Sequence, residues 1–133
     1  MNENNTLQNP RVIIIQKLYG HFISKDSEIL FPKHRFKKFI KDIVVGTIER
    51  SDLIHDELNN ILGNEFVFEN LDKVFQIILK AATYEFLYKP NVSINIIIKE
   101  YLISSNFFLE NSQTKYLNAL LDSIGKKLRS NNA

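Results

Sequence analysis

Cysteine is absent from this 133-residue chain, which excludes a disulfide framework and any thiolate metal centre. Nothing therefore calls for an oxidising compartment, and the expected location is cytoplasmic. Long apolar runs are missing as well. Gln16, Lys17 and His21 interrupt the most apolar early segment, so no stretch approaches the ~20 residues that span a bilayer and no membrane partner is expected. The N-terminus MNENNTLQNP is polar throughout, unlike the basic-then-apolar order of a secretory signal, and residues 1–8 are expected to form a flexible tail. Charge of one sign is barely in excess: 17 basic against 15 acidic side chains leave a net +2, too little by itself to demand a polyanion.

Glycine and proline are scarce, at 4 and 3 residues, so the chain has little of what sharp turns and hairpins need. The apolar residues recur every three or four positions rather than alternating, which predicts helices throughout. Six follow. Asn9-Pro10 caps and opens the first, with Val12, Ile15, Leu18, Tyr19 and Phe22 as its buried stripe. The second runs from about Lys33 with Phe36, Phe39, Ile40, Ile43, Val44 and Thr47 along one side. Ser51 caps the third, which stops near Gly63. Asn70 caps the fourth, through Leu71, Val74, Phe75, Ile78, Leu79, Ala82 and Phe86. Pro90 makes Lys89 to Ser93 a tight corner, Ser93 caps the fifth, and Ser112 caps a last helix with a basic tail suited to its own C-terminal dipole. Residues 9–133 are expected to form a single domain, since a chain this long can fill one core.

Familiar catalytic patterns are missing. His21, His34 and His55 show no zinc-motif spacing, the scattered glycines form no phosphate-cradling loop, and Asp52, Asp56 and Glu57 near a helix start read as solvated acids favoured by the dipole. No catalytic residue, metal or cofactor is expected. What is present is basic and aromatic. Lys33, Arg35, Lys37, Lys38 and Lys41 either form a solvated helix face or meet a nucleic-acid backbone. Arg11, Lys17 and Tyr19 on the first helix, with Lys115 and Tyr116 on the last, suit single-stranded RNA, whose bases stack on rings while cations hold phosphate. Both tyrosines are equally compatible with a place in the core.

Several stretches together resemble the NusB family of bacterial transcription antitermination factors. They are Leu79-Lys80-Ala81-Ala82-Thr83-Tyr84-Glu85-Phe86, Pro90-Asn91-Val92, Ile98-Lys99-Glu100 and Lys115-Tyr116-Leu117-Asn118-Ala119-Leu120-Leu121-Asp122. The last is similar to the family's K-F-V-N-G-V-L-D, while Gln16-Lys17-Leu18-Tyr19 is similar to its Q-A-L-Y and Val45-Gly46 to a glycine of its second helix. The resemblance implies an all-α fold of two packed three-helix bundles without enzymatic activity. It also implies binding of boxA-type single-stranded RNA together with NusE, a small-subunit ribosomal protein, within the RNA polymerase antitermination complex that carries transcription through ribosomal RNA operons.

Carried over residue by residue, the RNA surface comprises Arg11 and Lys115 for phosphate, Tyr19 and Tyr116 for the bases, Ser112 and Asn118 for hydrogen bonds, and Lys17 as a basic gain. Family members carry several arginines before the first helix, whereas Arg11 stands alone here. Toward NusE, the family's fourth-helix acid falls on Phe75 and Glu69 matches an earlier one. The alternative left open is a helical protein-interaction module of the same fold with weak or no RNA binding.

Overall fold

A computed structural model describes residues 9–63 and 67–130. The expected tail, residues 1–8, lies outside the described residues. Six α-helices run in the order α1 (Pro10–Ile23), α2 (Lys37–Glu49), α3 (Ser51–Leu62), α4 (Lys73–Tyr88), α5 (Ile94–Ser105) and α6 (Asn111–Ser130), with a single 3-10 turn at Phe68–Asn70 before α4. Among the described residues there is no strand.

The helices divide into α1–α3 and α4–α6, and α4 is the rod around which both sets close, since it packs on all five others. Its sequence dictates that place. Eleven of its 16 residues are buried, Phe75 to Leu79 and Ala81 to Phe86, so it is enclosed nearly all the way round, as a central helix is. A fully buried Ile, Leu or Phe contributes about 1.5–3 kcal/mol, and Ile14, Ile15, Ile43, Ile78, Leu79, Ile97 and Leu121 are all fully buried in the one core. Close approach is specified too. A Cβ on Gly46 of α2 would stand 2.3 Å from the Tyr84 ring of α4, so only a glycine lets these two backbones come together.

Several local signals are realised. The Asn9 side chain accepts from the backbone N–H groups of Arg11 (3.0 Å) and Val12 (3.3 Å), with Pro10 at the first helical position. Ser93 Oγ accepts from Ile96 N–H at 3.2 Å, and Gly63 ends α3 at φ +71°. The corner from Lys89 to Ser93 turns α4 back onto α5.

Other boundaries differ. Helix α2 starts at Lys37 rather than Lys33, because His34 Nδ1 takes the Phe36 N–H at 2.9 Å and its carbonyl takes the Lys37 N–H at 3.1 Å, a local turn that competes with the helix. Asn70 ends the 3-10 turn instead of capping α4, which begins after Asp72. Ser51 is the first residue of α3 and its hydroxyl accepts from Lys80 Nζ at 2.8 Å instead of from its own helix. Ser112 lies inside the first turn of α6. The preceding Glu110 N–H is taken by the Gln113 side chain at 3.1 Å, one half of a capping box.

The basic tail of α6 serves a different helix from the one expected. Arg129 donates to the carbonyls of Phe86 (3.1 Å), Val92 (2.6 Å) and Lys89 (3.0 Å), and more weakly to Glu85 (3.4 Å). These include orphan acceptors at the C-terminus of α4. One guanidinium thus closes α4, the corner and α6 together.

Candidate nucleic-acid interface

Helix α1 runs antiparallel to α4. Its N-terminal Arg11 reaches Glu85 near the end of α4, whereas its C-terminal Phe22 carries Lys73, the first residue of α4, over its ring at 4.1 Å. Helix α6 runs the same way as α4, because Tyr116 meets Phe75 (ring centroids 5.7 Å) and Arg129 meets Phe86. Two families of side chains expected on a common face are therefore sorted to opposite ends of α4.

Arg11 sits at the far end and points inward. The residue is 8% exposed, its Nη2 and Nε donate to the two carboxylate oxygens of Glu85 at 2.6 and 3.0 Å, and Glu85 is fully buried. The guanidinium also lies over the rings of Phe39 (5.1 Å) and Tyr101 (5.4 Å). Burial acts against its charge, but the bond and proximity of Glu85 prevail and hold its pKa above the ordinary value. The structure thus turns the expected phosphate-binding Arg11 inward, away from the surface. Its charge is spent on a buried carboxylate, ten positions and about 15 Å of helix rise from Phe75. The Tyr101 phenol, fully buried beside the pair, is pushed well above its ordinary pKa, first by burial and then by the Glu85 charge.

At the near end the aromatic surface is open. Tyr19 is 38% exposed and leans on Phe22 at 6.4 Å, and Tyr116 is 45% exposed over Phe75. At about 100° per residue, Ser112, Lys115 and Tyr116 fall on one stripe of α6, and all three are exposed. Asn118 is exposed but turns toward α5, where it lines a groove with Asn95, Lys99 and Asp122. Lys17 lies on the opposite side of α1 from Tyr19 and lines a groove with residues 24–30. The geometry thus gathers Tyr19, Ser112, Lys115 and Tyr116 toward the start of α4, and leaves Arg11, Lys17 and Asn118 outside that group.

Of the two residues expected to face a protein partner, Glu69 is on the surface, where it pairs with His55 at 2.9 Å. Phe75 is 3% exposed beneath Tyr116. At the position expected to face a partner, the surface therefore presents the Tyr116 ring with Phe75 packed under it. The five cations from Lys33 to Lys41 are all exposed around the start of α2.

Sequence reasoning overlooked Lys73 and Phe22 as a unit. A signal existed: Lys73 stands in the first turn of a helix that has no acid there, where the dipole disfavours a cation.

Among the described residues no group of three His, Asp or Glu side chains is placed to hold a metal, and no helix is long and apolar enough to cross a membrane. Comparison with known proteins then adds a lineage. The model of the NusB family matches residues 8–126. Similar proteins include one called transcription antitermination protein NusB from Sphingopyxis alaskensis, 33% identical over 68% of this chain and 61% of the relative. Another of that name from Novosphingobium aromaticivorans is 27% identical over 92% of this chain and 82% of its own length. The matched segment is thus less than two-thirds of the S. alaskensis protein. Among solved structures, Thermotoga maritima NusB in a P3121 crystal form is similar in fold, with a TM-score of 0.77 at 23% identity over 90% of both chains.

Proposed function

The chain belongs to the NusB family, and from that premise we propose that it is an RNA-binding transcription antitermination factor acting without catalysis of its own. Its ligand is boxA-type single-stranded RNA, bound together with NusE in the antitermination complex of RNA polymerase on ribosomal RNA operons. The observation that carries this reading is the pair of exposed rings, Tyr19 and Tyr116, at the same end of α4 with Lys73 and Lys115 beside them. Unpaired bases stack on such rings at about 1–3 kcal/mol each, and the lysines supply phosphate contacts. Ser112 adds a hydroxyl on the same stripe. Asn118 and Lys17 contribute only at the margins, to a strand that extends toward the α5 groove or the 24–30 segment.

Glu69, exposed beside His55, supplies the acidic contact to NusE. The occupied Arg11 favours a second reading, in which this chain is chiefly a protein-interaction module with weak RNA affinity of its own. Titration of labelled boxA-type RNA with the protein, with and without NusE, separates the two. Binding that weakens with salt supports the first reading, whereas a salt slope near zero supports the second. Absence of binding in both titrations at low salt removes the RNA function.

A further inference from the structure

Behind the ring surface, a cleft of about 380 Å³ opens between the end of α1 and the helices α2, α3 and α4. Three lysines line it, Lys25, Lys73 and Lys80, and no carboxylate does. The nearest negative charges to Lys80 are Asp52 and Glu69, and the latter is engaged by His55. Lys73 and Lys80 stand two turns apart on one stripe of α4. Lys80 is half-buried, and its proton is held less tightly than usual, first because of burial and then because of the Lys73 charge. Lys80 Nζ donates to Ser51 Oγ at 2.8 Å and Lys73 Nζ to the Gln76 side chain at 3.1 Å, and each ammonium keeps further donors for an anion between them.

Two further groups point to an occupant. Thr47, 3% exposed, and His21 are among the residues that line this cleft, and their Oγ1 and Nδ1 atoms are buried without a hydrogen-bond partner among the described residues. Buried polar atoms are rarely left unpaired, because each one costs its full desolvation. The floor is the start of α4, whose dipole is positive there and whose first turn, after the Asp72 N-cap, carries no acid. Phe22, half out of the surface, forms the rim.

We propose that this cleft is a phosphate subsite that takes the phosphoryl group of a nucleotide between Lys25, Lys73 and Lys80, with Thr47 in its wall and the Phe22 ring beside the base. Free mononucleotide and a phosphate of an RNA strand present the same chemistry to these groups. The cleft does not depend on the reading of the ring surface: failure of the boxA titration would remove one source of nucleotide and leave the other.

The test follows nuclear magnetic resonance shifts of the full chain with three probes in turn: inorganic phosphate, AMP and a short boxA-type oligoribonucleotide. Saturable shifts centred on Thr47, Lys73 and Lys80 are expected. The double variant K73Q/K80M, shown to be folded by circular dichroism, binds at least about tenfold more weakly, since each charged hydrogen bond is worth that much or more. The control K126Q, whose lysine pairs with Asp122 outside the cleft, binds as the native chain does. Shifts with phosphate or AMP identify a free nucleotide site, and shifts with the oligoribonucleotide alone identify a strand phosphate. No saturable shift at Thr47 with any probe, or equal affinity in the double variant, overturns the proposal.

Discussion

Arg11→Ala separates two roles for one residue by their sizes. Removing the guanidinium leaves the Glu85 carboxylate, fully buried, without the donors that now sit 2.6 and 3.0 Å away. Breaking a buried ion pair from one side costs about 3–5 kcal/mol, because the surviving charge keeps its desolvation penalty. The lost faces of Phe39 and Tyr101 add to that. Against a net stability of about 5–15 kcal/mol the loss is large, and for a chain of 133 residues it lowers Tm by roughly 10–18 °C. Urea denaturation and calorimetry read the loss. The double variant Arg11→Met with Glu85→Leu regains much of it, since an apolar pair of similar volume leaves no charge stranded. In the temperature range where Arg11→Ala is still folded, its RNA affinity and salt slope stay those of the native chain. A variant within about 0.5 kcal/mol of native, with a salt slope reduced by about 0.7, would refute the assignment of Arg11 to the core.

Other perturbations test other joints. Gly46→Ala places a methyl against the Tyr84 ring, itself packed on Tyr88 at 4.9 Å, and destabilises by about 1–3 kcal/mol in urea melts despite the better helix propensity of alanine. Arg129→Ala strips the α4 terminus and its corner of four bonds; hydrogen exchange at Lys89 to Val92 accelerates while RNA affinity is unchanged. Tyr101 has a raised folded pKa, so the stability it contributes is complete below its unfolded pKa of about 10 and is lost as pH rises from there toward the folded value. Tyr101→Phe flattens this alkaline loss in melts taken across that window. At neutral pH, where the phenol is protonated folded and unfolded, the substitution costs no more than an ordinary hydrogen bond, about 0.5–1.5 kcal/mol.

Signals that act through immediate neighbours were legible in the sequence. Asn9-Pro10 and Ser93 cap because their side chains reach N–H groups two or three residues on, and α4 is legible as a helix because apolar residues recur along it at three- and four-residue spacing, although its burial extends nearly all the way round. The start of α2 was not, because His34 offers a local turn that periodicity does not register. Arg11 and Glu85 are 74 positions apart, and nothing local tells a phosphate-binding arginine from one neutralised in the core. Phe75 and Tyr116 pose the converse problem: either ring could have been the buried one, and only the direction of α6 along α4 decides it. Lys73 carried a legible clue in its clash with the helix dipole, although its place over Phe22 required the antiparallel packing of α1.

The central claim is that RNA lies across the rings and lysines at the start of α4. Its most direct measurement is the affinity of boxA-type RNA, in the presence of NusE and across a salt series, for the native chain, Tyr116→Ala and Lys115→Ala. Loss of a stacked base weakens binding by about 1–3 kcal/mol in Tyr116→Ala with the salt slope kept, while Lys115→Ala lowers the slope by about 0.7. Native affinity and native slope in both variants would contradict the claim.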